Sequence, residues 1–316
     1  MNVPVFDLHC DTAFSLWKDK FSRHDSLYEN DRHIDLKRAK KLAGYAQCFA
    51  CFTTIRDKSD PITAEVAFER ELALIQGQVS KYSEMISFAT SAKNVEDNLQ
   101  NGIMSAILTI EGPAGFGFRA ERLEELYRIG FRITTLGWNE DNPLTGSCVT
   151  GGGLTDRGRE YVYEAQRLGM VIDVSHISDA GFWNIVEVTQ KPIIASHSNS
   201  RKLCAVGRNL TDEMYMAICK TNGTVGINLY NDFLGEDPSL DTVCDHIIHF
   251  LSLAGTDKHV SLGGDLDGCS RIPKGFAGVQ DYPRLADRLL QRGLSIESVC
   301  NIFWNNALGV IERCSM

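Results

Sequence analysis

His9 and Asp11 stand two residues apart in Asp7-Leu8-His9-Cys10-Asp11, at the end of an apolar run. Alternate residues of an extended strand share a face, so this pair can point together while Cys10 points away. An imidazole and a carboxylate placed this way form a two-residue clamp for one cation. Other apolar runs end in the same style, in Glu111, in His176 and in His197. A further run ends in Gly263-Gly264-Asp265-Leu266-Asp267-Gly268, which adds more carboxylates. A single carboxylate such as Glu111 has two oxygens and can bridge two cations. Imidazole mixed with carboxylate suits Zn²⁺, Mn²⁺ or Co²⁺, whereas Mg²⁺ and Ca²⁺ favour an all-oxygen set. Taken singly, each residue has a plainer reading, because a lone buried histidine is usually a hydrogen-bonded core group. The joint placement at strand ends outweighs it. His246 and His249, three apart on a helical stretch, join no such set and read as a solvated or partly buried helix face.

Residues at strand ends meet only if the strands are arranged to bring them together. Strand-like runs at 3–9, 45–52, 103–111, 131–136, 170–175, 192–196, 224–228 and 260–264 alternate with helical stretches. The helical stretches lie at 61–85, 120–130, 156–169, 179–189, 212–222, 240–255, 283–293 and 296–313. Asp60 and Pro61 suit the N-cap and first turn of the first of these. Alternating β and α elements indicate an α/β fold with parallel strands. Eight units favour a closed (β/α)8 TIM barrel, whose strand C-termini all face one mouth. An open doubly wound sheet is disfavoured, since no GxGxxG follows the first strand. With no linker or repeat to divide the chain, residues 1–316 are expected to form one domain. The glycine-rich segment 150–154 reads as an active-site loop entering a helix near Thr155, ahead of a phosphate nest.

Composition narrows the partners. The chain is 43% hydrophobic and 23% charged, proportions of a folded enzyme and not of a disordered or coiled-coil protein. Its net charge of −9 argues against nucleic acid or an anionic membrane surface, since both need clustered Lys and Arg. No apolar run approaches the roughly 20 residues of a membrane span. The opening residues lack the basic and apolar regions of a secretory signal, so a cytoplasmic protein with reduced thiols is expected. Its ten cysteines are then core residues. Cys48-Phe49-Ala50-Cys51 is a lone CxxC without the second pair of a zinc ribbon.

The motifs DLHCD, TIEGP, DVSHIS, ASHSNSR and GGDLDG, in this order and spread along the whole chain, resemble the membrane dipeptidase (renal dipeptidase) family, peptidase family M19. The resemblance implies a barrel of the metal-dependent hydrolase type, a soluble microbial homodimer, with a two-zinc centre that cleaves dipeptides. It implies that His9 and Asp11 hold the first zinc, that Glu111 bridges both, and that His176 and His197 complete the second site. Asp265 matches the acid/base of the family, and Arg208 matches the arginine that binds the substrate carboxylate. One position departs from the pattern. Animal members carry a substrate-contacting histidine in a Thr-Leu-Thr-His context, whereas this chain reads Thr135-Leu136-Gly137-Trp138-Asn139. Trp138 takes that place, with an indole that donates a hydrogen bond but neither accepts one nor carries charge. Trp138 and Asn139 are therefore the candidate substrate contacts on that side.

In the implied reaction a water held between two cations attacks the dipeptide carbonyl. Asp265 takes its proton and passes it to the leaving amine. Asp267 competes for that role, because strand alternation can place both carboxylates on one face; its plainer reading is a cap. The resemblance also implies tolerance of D-residues at the C-terminal position. Two other classes compete. A different binuclear barrel amidohydrolase, acting on a cyclic amide or lactam, commonly pairs HxH with a carbamylated lysine, and this chain has HxD. A non-catalytic metal-binding barrel has no use for Asp265.

Overall fold

Long apolar runs with no polar alternation belong in strands covered on both faces, and parallel sheets supply that cover. The computed structural model describes residues 1–18, 26–55 and 62–315 and has nine such strands. They are β1 (Val5–Cys10), β2 (Tyr45–Phe52), β3 (Ile86–Phe88), β4 (Met104–Glu111), β5 (Phe131–Thr135), β6 (Val171–Asp173), β7 (Ile193–Ala195), β8 (Thr224–Ile227) and β9 (Val260–Leu262). Neighbours pair in the order β2-β1-β9-β8-β7-β6-β5-β4, and β2 pairs with β4 to close the ring. Every pairing is parallel, and the closing seam runs from Ala46 opposite Ser105 to Phe52 opposite Glu111. The eight-stranded barrel read from the alternation is present.

The ninth strand, β3, is an addition. It pairs with the first half of β4, Ile86 opposite Met104, while β5 takes the second half of the same edge, Leu108 opposite Phe131. Three residues are too few to show a period of two, so the sequence does not reveal it. β6 and β7 are also shorter than the runs 170–175 and 192–196. They stop at Asp173 and Ala195, which leaves His176 and His197 in the loops beyond. The first long helix is Ala64–Lys81, capped by the Thr63 side chain. The cap expected at Asp60 and Pro61 lies outside the described residues. The final helical stretch divides into Ile296–Cys300, a π turn at Asn301–Asn305, and Asn306–Ser315. None of the ten cysteines is disulfide-bonded; Cys48 and Cys51 are buried within β2, but Cys148, Cys204 and Cys300 are only partly buried, so the expectation of ten core cysteines is met by seven. No described helix is long and apolar enough to cross a membrane.

His246 departs from the reading of a solvated or partly buried helix face, whereas His249 is partly buried as that reading has it. His246 is fully buried in the helix Leu240–Ala254. Its Nδ1 accepts the Ser200 N–H at 3.1 Å and its Nε2 donates to the Leu234 carbonyl at 3.0 Å. His249, one turn on, pairs at 2.8 Å with Asp212. His246 thus ties the loop after β7 to the loop after β8 at the barrel mouth. A buried donor and acceptor stripped of partners, with a cavity beside them, cost about 2–4 kcal/mol together. His246→Ala is expected to lower unfolding free energy in urea by that amount, and an unchanged transition midpoint would refute the tie.

Candidate active site

The end of β1 delivers His9 and Asp11 together. Asp11 is held by its backbone N–H donating to Leu266 O at 3.0 Å, and Cys10 between them is buried. His9 Nε2 lies 3.4 Å from Asp11 Oδ2, 3.5 Å from Glu111 Oε2 and 3.9 Å from Asp265 Oδ1. The other oxygen of Glu111, Oε1, lies 3.0 Å from His176 Nε2 and 3.6 Å from His197 Nε2. Glu111 therefore faces two donor sets with one oxygen each. The two histidine Nε2 atoms are 3.0 Å apart, and the His9 and His197 rings stack at 3.8 Å. A cavity of about 240 Å³ opens over this cluster and is lined in part by Asp11, Glu111, His176, Asp265 and Gly268.

The donor set fits divalent cations. His9 Nε2 and Asp11 Oδ1 are buried with no hydrogen-bond partner among the described residues. Ligand atoms of His9, Glu111 and His197 lie within 4.8 Å of one another, as do those of His9, Asp11 and Asp265. Burial pushes the Glu111 carboxyl well above the usual range, and the nearby Asp11 adds to it. Burial likewise raises Asp265 to about 6, against the pull of His9. Burial, with Arg208 and His9 as neighbouring positive charges, holds His176 and His197 well below the ordinary histidine range. Neutral imidazoles keep a ring-nitrogen lone pair to offer. His9 moves the other way: burial disfavours its cation, yet Glu111 and Asp11 carry it up to about 10. Three imidazoles with three carboxylates match the mixed donor set of a divalent transition-metal site. Gly268 keeps the space open. A Cβ there would lie 2.1 Å from Asp11 Oδ2 and 2.7 Å from Asp265 Oδ1.

Two aspartates that sequence reasoning left without a role hold the cluster in place. Asp7 Oδ1 accepts the N–H groups of His9 and Gly264, both at 3.0 Å, and the Tyr282 hydroxyl donates to Oδ2. That one carboxylate fastens β1 to the segment after β9. Asp173 Oδ1 accepts the N–H groups of Ser175 and Ser196, both at 2.9 Å. The Ser196 hydroxyl donates to Asp173 Oδ2 and accepts from His197 Nδ1 at 2.7 Å. Asn139 Oδ1 accepts from His176 Nδ1 at 2.9 Å. Both imidazoles are thereby turned with Nε2 toward Glu111, as outer hydrogen bonds do for metal-binding histidines. The signal was available, since an aspartate precedes the histidine by two or three residues in both DLH and DVSH.

Asp265 and Asp267 do not share a strand face. β9 ends at Leu262, and both residues adopt left-handed backbone, φ 55° and 68°, within a turn. Asp267 uses both oxygens elsewhere, accepting from the Thr12 hydroxyl at 2.6 Å and the His33 N–H at 2.7 Å. Asp265 accepts Asn228 Nδ2 on Oδ2 at 3.0 Å and keeps Oδ1 toward His9. Arg208 is buried, with Nη1 donating to Ser198 Oγ at 2.8 Å and with Nε and Nη2 unpartnered among the described residues. Its guanidinium lies 5.6 Å from the ring of Phe233, a residue that lines the cavity with Trp138 and Asn139. The loop at 150–154 is tied down by the Ser178 hydroxyl donating to Gly152 O, and Thr155 caps the helix Asp156–Leu168.

The model of the membrane dipeptidase family, peptidase family M19, matches residues 1–315. The chain is 30% identical to an uncharacterized dipeptidase of Schizosaccharomyces pombe over 100% of its own length and 81% of that protein's. It is 30% identical to the dipeptidase aclJ of Aspergillus oryzae over 98% and 78% of the two chains. Another Schizosaccharomyces pombe dipeptidase is 31% identical over 76% of this chain, which spans 61% of that relative's length. Among solved structures, a metallopeptidase from Rhodobacter sphaeroides liganded with a phosphinate mimic of the dipeptide L-Ala-D-Ala superimposes with a TM-score of 0.89 at 25% identity. That match covers 99% of this chain and 100% of the other.

Ser196→Ala breaks the link between His197 and Asp173 without touching a candidate ligand. It is expected to weaken divalent-metal affinity about 10- to 100-fold. Zn²⁺ competition against a chelator of known affinity measures this directly, and wild-type affinity in the variant would remove the orienting role.

Proposed function

This chain belongs to the membrane dipeptidase family, peptidase family M19, and on that premise we propose that it hydrolyses the peptide bond of dipeptides, including those with a D-residue at the C-terminal position. His9, Asp11, Glu111, His176 and His197 would hold two divalent ions, Zn²⁺ first, with Mn²⁺ or Co²⁺ as alternatives. The observation that carries this reading is the placement of Glu111, one oxygen toward His9 and the other toward His176 and His197. Ions bound there would polarise the scissile carbonyl and lower the pKa of a water. Asp265, steadied on one oxygen by Asn228, is placed to accept a proton from an attacking water and to hand it to the leaving amine. Arg208 has Nε and Nη2 to offer, and these take the substrate carboxylate in two parallel hydrogen bonds. Burial makes that recognition strict, since a substrate without the carboxylate leaves the guanidinium unpaired. Asn139, with Oδ1 committed to His176, keeps its amide nitrogen for the substrate, and Trp138 stands beside it.

The test is hydrolysis of a dipeptide panel, with both stereochemistries at the C-terminal residue, by protein of measured metal content. Asp265→Asn is expected to keep wild-type metal stoichiometry while kcat falls about 10²- to 10⁴-fold. An unchanged kcat would transfer the acid/base role away from Asp265. Arg208→Ala should lower kcat/KM for dipeptides with a free carboxylate far more than for their amidated analogues. Equal losses on both would refute carboxylate binding by Arg208.

A further inference from the structure

The floor of the cavity is polar, but its two sides are aromatic. On one side stand Phe14, from the helix Thr12–Lys18 after β1, Phe52 at the end of β2, and Trp138 after β5. Their rings meet edge to face, Phe14 on Phe52 at 5.2 Å and 85°, Phe52 on Trp138 at 5.1 Å and 69°. Such contacts make one continuous surface from three separate segments. All three residues are only half-buried, so the surface keeps apolar area facing the cavity. Lys18 Nζ lies 4.9 Å from the Phe14 centroid on an exposed side chain, and the carboxylates of Asp11 and Asp267 line the same cavity. On the other side Tyr230 and Phe233 pack at 5.0 Å, with the Arg208 guanidinium against Phe233.

Strand order fixes how these sides relate. Around the ring, the seam between β2 and β4 lies opposite the seam between β7 and β8. Arg208 follows β7, and Tyr230 and Phe233 follow β8, so the carboxylate end of a substrate lies on their side. A dipeptide anchored there runs across the carboxylate and imidazole floor. Its amino-terminal residue then reaches the side of Phe14, Phe52 and Trp138. Half-exposed aromatic area in a cavity gains free energy when an apolar group covers it.

We propose that Phe14, Phe52 and Trp138 form a specificity wall for the side chain of the amino-terminal residue, and that the preferred substrates are dipeptides with a large apolar or aromatic residue there. This rests on the dipeptidase reading and names the substrate class of that same site. The wall offers no hydrogen-bond acceptor and no anion, so glycine leaves it uncovered and an aspartate side chain would lose hydration against it without repayment.

The experiment uses the full-length, metal-loaded protein and compares kcat/KM for Phe-Ala, Leu-Ala, Gly-Ala and Asp-Ala. Phe-Ala and Leu-Ala should exceed Gly-Ala about 10-fold or more, the scale that apolar pockets give, and Asp-Ala should fall below Gly-Ala. Phe52→Ala and Phe14→Ala should each move the Phe-Ala to Gly-Ala ratio toward one, and the milder Phe52→Leu should move it part of the way. Equal rates for Phe-Ala and Gly-Ala, or a ratio that none of the variants changes, would overturn the wall and leave the dipeptidase reading standing. Failure of the metal-loaded protein to cleave any dipeptide would overturn both. If one alanine variant does not fold, the ratio in the remaining two decides.

Discussion

Three carboxylates, Asp11, Glu111 and Asp265, meet around one histidine at a buried place, and the rest of the mouth is built to hold that charge together. Two like charges about 4 Å apart repel by about 4 kcal/mol at the effective dielectric of a protein pair. Left to themselves these side chains would splay apart. They stay because hydrogen bonds fix the strand ends that carry them, and Glu111 and Asp11 favour the His9 cation against the cost of burial. His176 and His197, held neutral, add lone pairs without adding charge. The arrangement has a standing attraction for cations.

That attraction is useful only if the ligands cannot relax, and the supports are themselves carboxylates. Asp7 and Asp173 each accept two backbone N–H groups and a hydroxyl, so they serve as fasteners between neighbouring strand ends. Backbone conformation does the remaining work. His176, Asp265 and Asp267 all sit at positive φ, where non-glycine residues are uncommon and cluster at functional sites. Gly112, directly after Glu111, has φ 78° and passes so near β2 that a Cβ would lie 2.0 Å from Thr53 O. The strand that delivers Glu111 can end there only on glycine.

The aromatic sides complete the electrostatic design. Phe52, Trp138, Tyr230 and Phe233 line the cavity above the floor, and on the proposed reading a substrate covering them would exclude water and strengthen each charged contact within. Arg208 belongs to the same logic. Its buried guanidinium, 5.6 Å from the Phe233 ring and with two nitrogens unpartnered among the described residues, would on the proposed reading discriminate through the cost of leaving it alone.

Much of this was legible in the chain. Alternation of eight strand-like runs with helices gave the barrel, and histidines and carboxylates at the run ends gave the cluster of His9, Asp11, Glu111, His176, His197 and Asp265, because strand periodicity and barrel polarity are local rules that reach one common mouth. The same rules misplace what is not periodic. β3 is too short to read, His246 read as part of a solvated or partly buried helix face, and Asp267 competed with Asp265 until the turn that holds them set one toward His9 and the other toward Thr12 and His33. Asp7, Asp173 and Asn228 had roles only once strands far apart in sequence became neighbours. The aromatic side needs the helix after β1, the end of β2 and the segment after β5 to meet edge to face. By itself, then, the sequence determined which chemistry the mouth could hold, since residue type and strand register are written locally. Only the tertiary structure decided which oxygen faces which nitrogen, since that depends on hydrogen bonds and packing between segments that the chain order keeps apart.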